Sequence, residues 1–93
     1  MTPEEIAIRL EEVPEEEAVD VLFHTGERFE LINCWVVEQE IYGNLTTVIG
    51  EVVRKLEGDL RFNTPGTLLE FDASDVLSAA IVSDGKKVYA NST

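Results

Sequence analysis

Few residues in this chain are of types that carry out covalent or metal chemistry. A nucleophile and its base must lie within hydrogen-bond reach of each other. The two candidates are Cys34 and the single histidine, His24. Both read onto one β-hairpin, with His24 at its tip and Cys34 well along one arm. One cysteine and one histidine also exclude a zinc site of the Cys/His type. Cys34 has no partner for an internal disulfide, and beside Trp35 in a strand it is expected to be a buried, inert thiol. Carboxylates are plentiful, and any two of nineteen would match a glycosidase pair by chance. Glu70, Asp72 and Asp75 could hold a hard cation, but they lack EF-hand spacing, and helix capping by Asp72-Ala-Ser-Asp75 explains them more simply. Gly43, Gly50, Gly58 and Gly66 are separated singletons, so no phosphate loop is expected. The residue types therefore predict a protein with no catalytic, cofactor-binding or metal residues.

Contact chemistry is the alternative. Trp35, Tyr42 and Phe62 are the aromatics to watch, the last two because they fall in or beside connections. Acidic residues number nineteen against seven basic, a formal net charge of −12. Much of that excess is local, in Glu4, Glu5, Glu11, Glu12, Glu15, Glu16 and Glu17. A chain so charged repels phosphate backbones and anionic lipid, which argues against nucleic-acid or membrane-surface binding. The acidic stretch reads as a solvated helix face and linker. Its functional counterpart is a docking surface for a basic partner, so Glu11, Glu12, Glu15 and Glu16 join the three aromatics as candidate contacts.

The elements that must position these residues are organised around Val19–Val37. Val19, Val21 and Phe23 alternate with Asp20 and His24, and Phe29 and Leu31 alternate with Arg28 and Glu30. For the two apolar faces to coincide, the loop must hold an odd number of residues. The loop His24-Thr25-Gly26, with Gly26 left-handed, pairs Val21 with Phe29 and Val19 with Leu31. A two-residue turn would set Val21 against Glu30 and put the wrong face into the core. Past Leu31 both parities are apolar, which predicts a bend or bulge near Asn33 or, alternatively, that one of the two surfaces is an interface.

Ahead of the hairpin, Thr2-Pro3-Glu4-Glu5 is a capping-box start, and Pro14 closes a short helix with an Ile6, Leu10, Val13 stripe. After it, Glu38–Asn44 is a polar connection. Leu45–Leu56 fits a helical stripe at Leu45, Val48, Ile49, Val52, Val53 and Leu56, but its Thr, Val, Ile and Gly50 content forgoes about 3–4 kcal/mol of helix propensity. A bent strand is expected there, with a helix over 45–57 as the alternative. Leu60–Phe62 reads as a strand fragment, Asn63–Gly66 as a turn and Thr67–Phe71 as a strand. Asp72–Asp75 predicts a single helical turn before a strand at Ala79–Val82. Asp84-Gly85 marks a second hairpin, whose terminal edge Lys86 and Lys87 keep soluble.

The order helix, Gly-turned hairpin, further strands and a one-turn helix before a late strand resembles the small SH3-like barrels, and among them the Sm-like family. The residues carrying the resemblance are Val21–Leu31, with its x-Gly-x-x-Phe turn, and Glu40-x-x-x-Asn44-Leu45. The second is similar to the family's acidic-x-x-x-Asn-apolar signature of an RNA-base pocket. Coverage is Ala18–Leu56. The family's Arg-Gly pair is absent, so RNA binding is not carried over to Glu40 or Asn44. What the resemblance implies is a barrel that assembles by pairing edge strands.

The expected fold is thus mainly β: a small SH3-like or Sm-like barrel of about five to six strands with a short N-terminal α-helix. One domain is expected over 1–93, with the helix at 1–13 and the barrel at 18–90. No apolar run approaches the ~20 residues of a membrane span, and the N-terminus is unlike a signal peptide, which points to the cytoplasm. The expected function is a non-catalytic, acidic protein-interaction or assembly module with a protein partner or itself as a homo-oligomer. The alternatives are an inhibitor that mimics nucleic acid to capture a basic protein and, third, a small-ligand carrier.

Overall fold

The computed structural model describes residues 2–39, 44–58 and 65–90. The chain runs α1 (Pro3–Glu11), β1 (Val19–Phe23), β2 (Arg28–Gln39), β3 (Asn44–Glu57), β4 (Leu68–Asp72), a 3-10 turn at Ala73–Asp75, β5 (Val76–Ile81) and β6 (Lys87–Ala90). The six strands form one sheet in the order β4-β3-β2-β1-β5-β6, antiparallel throughout. Among the described residues no helix is long and apolar enough to cross a membrane.

The hairpin has the register that parity requires. Val19 pairs with Leu31 and Val21 with Phe29. The Phe23 N–H bonds the Glu27 carbonyl at 2.9 Å, which leaves His24-Thr25-Gly26 as the loop. Gly26 carries φ +92°, a conformation that a Cβ disfavours. Val19, Val21 and Phe23 are buried, while Asp20 and Leu22 between them are half-buried.

The predicted bend falls at Asn33, which adopts φ +52°. Between the pairs Ile32↔Glu51 and Trp35↔Ile49, β2 spends one residue more than β3, so the ladder bulges there. The bulge switches the side-chain parity and lets Leu31 and Cys34 both reach the core. β3 is a strand throughout its description and the helical alternative over 45–57 is overturned: β2 covers one side of it and β4 the other. The helical stripe was coincidental, because Val48 and Val52 are four apart and share a strand face equally well. A Cβ built on Gly50 would stand 2.9 Å from Cys34 Sγ and 3.2 Å from Leu31 Cδ1, so the glycine allows β2 and β3 to cross closely.

The core lies on the concave face of the sheet, around Val19, Val21, Phe23, Leu31, Cys34, Val48, Val52, Val76 and Ala79. The helix closes one end of it with Ile6, Ala7 and Leu10. Thr2 caps the helix by accepting the Glu5 N–H at 3.3 Å. Nine residues do not make a stable helix in isolation, so α1 exists because this apolar face is buried. The 3-10 turn is capped by Asp72, whose Oδ1 accepts the Ser74 N–H at 2.9 Å.

Two expectations need correction. The sheet does not close into a barrel: β4 and β6 are its two edges, and they do not pair with each other among the described residues. The sheet curls enough for Phe23 of β1 and Phe71 of β4 to touch, with ring centroids 5.1 Å apart, but no ladder joins them. The fifth strand also begins at Val76, not Ala79. Val76 is buried and pairs with Phe23, so burial overrides any continuation of the helical turn. Leu60–Phe62, Asn63 and Glu40 lie outside the described residues.

Candidate interaction site

The side chains Phe23, Phe29, Leu69 and Phe71 converge at the hairpin end of the sheet. Phe23 stands edge-on to both other rings, at 5.9 Å from Phe29 and 5.1 Å from Phe71. These residues, with Thr25, Glu27 and Asp75, line a groove of about 260 Å³. Hairpin parity brings Phe23 and Phe29 to one face, and the β3–β4 ladder adds Leu69 and Phe71, paired with Gly50 and Val48. The loop is held by the His24 N–H donating to the Asp75 carbonyl at 2.9 Å. Glu27 and Asp75 place carboxylates at the rim.

One cation of the chain already uses this surface. Lys55 Nζ donates to Glu27 Oε2 at 2.7 Å and lies 5.2 Å from the Phe29 ring centroid, in cation–π range. The Phe29 ring therefore accepts an ammonium beside a carboxylate.

The strand that supplies Leu69 and Phe71 is an edge. The Val52 N–H bonds the Thr67 carbonyl at 2.8 Å, and the Gly66 N–H bonds the Val52 carbonyl at 2.7 Å. Antiparallel alternation then turns Leu69 and Phe71 toward β3, and sends the backbone groups of Leu68 and Glu70 outward. No described strand answers them. Leu68 is 58% exposed. Asp72 anchors the far end of β4. The amide of Ser74 holds its carboxyl below the ordinary value, against partial burial, with the hydroxyls of Ser74 and Thr46 assisting.

The residues expected from sequence to meet a partner lie elsewhere. Trp35 is half-buried on β2 beyond the bulge, opposite Ile49. Glu11 is exposed, but its Oε2 accepts the Val36 N–H at 2.7 Å. Val36 lies past the end of the β1 ladder, so Glu11 seals an otherwise open stretch of β2. Glu12 lines a hollow with Arg9, Lys86 and Lys87. Glu15 and Glu16 are exposed in the linker. Tyr42 and Phe62 lie outside the described residues. The structure thus sets Glu11 next to the Trp35 stretch of β2 and brings neither to the groove. Phe23, Phe29 and Phe71 were not singled out, although a shared parity toward one end was a signal for the first two.

Other polar groups are committed to the fold. Arg28 donates to Asp20 at 2.8 Å and to Glu57 at 3.2 Å, and this pairing, Asp20 foremost, raises its pKa further. Arg54 Nε reaches the buried Glu30 at 3.2 Å. Burial pushes the Cys34 thiol up to about 11. Among the described residues no three His, Cys, Asp or Glu are grouped to hold a metal ion. Comparison with protein-family models, with curated proteins and with solved structures finds no match.

Proposed function

We propose that this protein is a non-catalytic interaction or assembly module that takes an additional β-strand onto β4. The observation that carries this reading is an edge that no described strand covers. β4 presents outward backbone groups at Leu68 and Glu70, an exposed leucine, and neither lysine nor proline. Soluble proteins ordinarily blunt such edges, because an open ladder pairs with whatever strand arrives. Strand addition is an established recognition mode in which the main chain supplies affinity and the side-chain pockets supply selectivity. The hairpin, the one-turn helix before β5 and the N-terminal helix support the fold-level resemblance to Sm-like or SH3-like domains, which implies assembly through edge strands. The added strand comes from a protein partner or from a second copy.

Proline at position 70 tests this directly. The Glu70 N–H faces outward, so Glu70→Pro leaves the β3–β4 ladder intact while blocking an incoming strand. Solution mass by light scattering, at low and high salt, is compared for the two proteins, together with uptake of a strand-forming valine–glutamine heptapeptide. The expected result is self-association or peptide uptake in the parent chain that Glu70→Pro abolishes with its circular dichroism unchanged. Association untouched by the proline, or none of either kind in the parent chain, overturns the reading.

A further inference from the structure

Resting on that reading, we propose that the groove formed by Phe23, Phe29, Leu69 and Phe71 selects the incoming strand, and that it takes a lysine side chain of a basic partner. A strand added to β4 sets every second side chain on the face that carries Leu69 and Phe71. Such a side chain lies over the groove. Three aromatic rings offer apolar walls for a butyl stem and a π-face for an ammonium. The rim offers the exposed carboxylate of Asp75 and, across from it, that of Glu27, which Lys55 already pairs. The chain demonstrates the chemistry on itself, since Lys55 sits over Phe29 with its Nζ on Glu27.

Charge decides between occupants. At −12, a second copy of this chain is repelled, whereas a basic segment is steered in. Glu70 and Asp72, on the same strand, extend the acidic field along the path of an incoming chain. A glutamate-bearing strand meets the opposite conditions and is refused, which gives the groove selectivity by repulsion as well as attraction.

The test uses the full chain and three heptapeptides of alternating valine with lysine, glutamine or glutamate, followed by amide chemical shifts and titration calorimetry. The lysine peptide is expected to bind about tenfold more tightly than the glutamine peptide, with shifts at Phe23, Phe29, Leu69 and Phe71. Asp75→Asn, which leaves the Glu27–Lys55 pair in place, should reduce that preference. Glu16→Gln, an equal change in net charge away from the groove, should leave it. Phe71→Leu keeps an apolar side chain but removes the π-face, and should reduce the preference while glutamine-peptide binding persists.

Equal loss in the two single-carboxylate variants, or no loss in either, means general charge attraction or none at the groove and overturns the proposal. Equal binding of all three peptides at β4 also overturns it, while leaving strand addition standing. If no peptide perturbs β4 and the chain does not self-associate, strand addition itself falls.

Discussion

The two edges of the sheet are built oppositely. β6 carries exposed Lys86 and Lys87 at its start, and with Arg9 and Glu12 these line a solvated hollow of about 240 Å³. A strand approaching that edge must desolvate two ammonium groups, which keeps β6 unpaired. β4 carries Leu68 and Glu70 facing out, and its inner side chains open onto the aromatic groove. A third exposed stretch, the β2 overhang past Leu31, has its Val36 amide satisfied by Glu11. Among the described residues β6 and the β2 overhang are guarded, whereas β4 lies beside the Phe23, Phe29 and Phe71 rings. Both edges border a hollow, and the difference teaches that the edge without lysine is the one whose hollow is lined by aromatic rings.

The largest way to break this contrast is through β3, on which β4 depends. Gly50→Val puts a side chain where even a Cβ meets Cys34 Sγ at 2.9 Å, with Leu31 at 3.2 Å. We expect a loss of about 2–3 kcal/mol by urea unfolding. Amide exchange should rise in β3 and β4 while the β5–β6 hairpin keeps its protection.

A smaller effect is expected at the end of β4. Asp72→Ala removes the cap on Ser74 and should cost about 1 kcal/mol at neutral pH. The carboxyl is held below its ordinary 3.8 in the fold. Its contribution is therefore complete above that value and is lost as pH falls through the depressed native value. Urea titrations of both proteins across that acid range should converge, and a difference that persists at the acid end would assign the loss to packing.

Exchanging the guards should alter association with little change in stability. Leu68→Lys gives β4 the protection of β6 and should weaken association about tenfold, with stability unchanged within about 0.5 kcal/mol because Leu68 is largely exposed. Lys86→Val with Lys87→Val should do the reverse, making β6 adhesive and raising the light-scattering mass at high salt, where the repulsion between copies is screened. An unchanged mass would show that the lysines are not what protects that edge.

The smallest effect sharpens the picture without altering the edges. Cys34 lies under Gly50 with its thiol raised to about 11 from an ordinary 9.0. Below the lower value both states hold the proton and stability is unaffected. Above it the unfolded chain ionises first, so stability declines as pH climbs toward the native value. Thiol modification at pH 8 should accordingly be slow in the native protein and fast in Gly50→Val, reporting opening between β2 and β3.

Much of the fold was legible because it is local. The Thr2 cap, the odd-numbered loop at His24–Gly26, the bulge at Asn33 and the Asp72 turn each depend on residues within a few positions, where sterics and parity leave one choice. Leu45–Leu56 was resolved in favour of a strand by propensity, even though its apolar spacing matched a helix. The groove was not legible. Phe23 and Phe71 meet across forty-eight positions (71 − 23) because the sheet curls, and curl is a property of all its strands together.

By itself the sequence determined the element types, the hairpin register and a charge of −12, since those follow from adjacent side chains and composition. The tertiary structure decided that the sheet stays open, that Glu11 reaches Val36, that Gly50 sits against Cys34, and that β4 is left beside three phenylalanines. Each of these joins residues far apart in the chain, whose meeting depends on how every strand between them twists and packs.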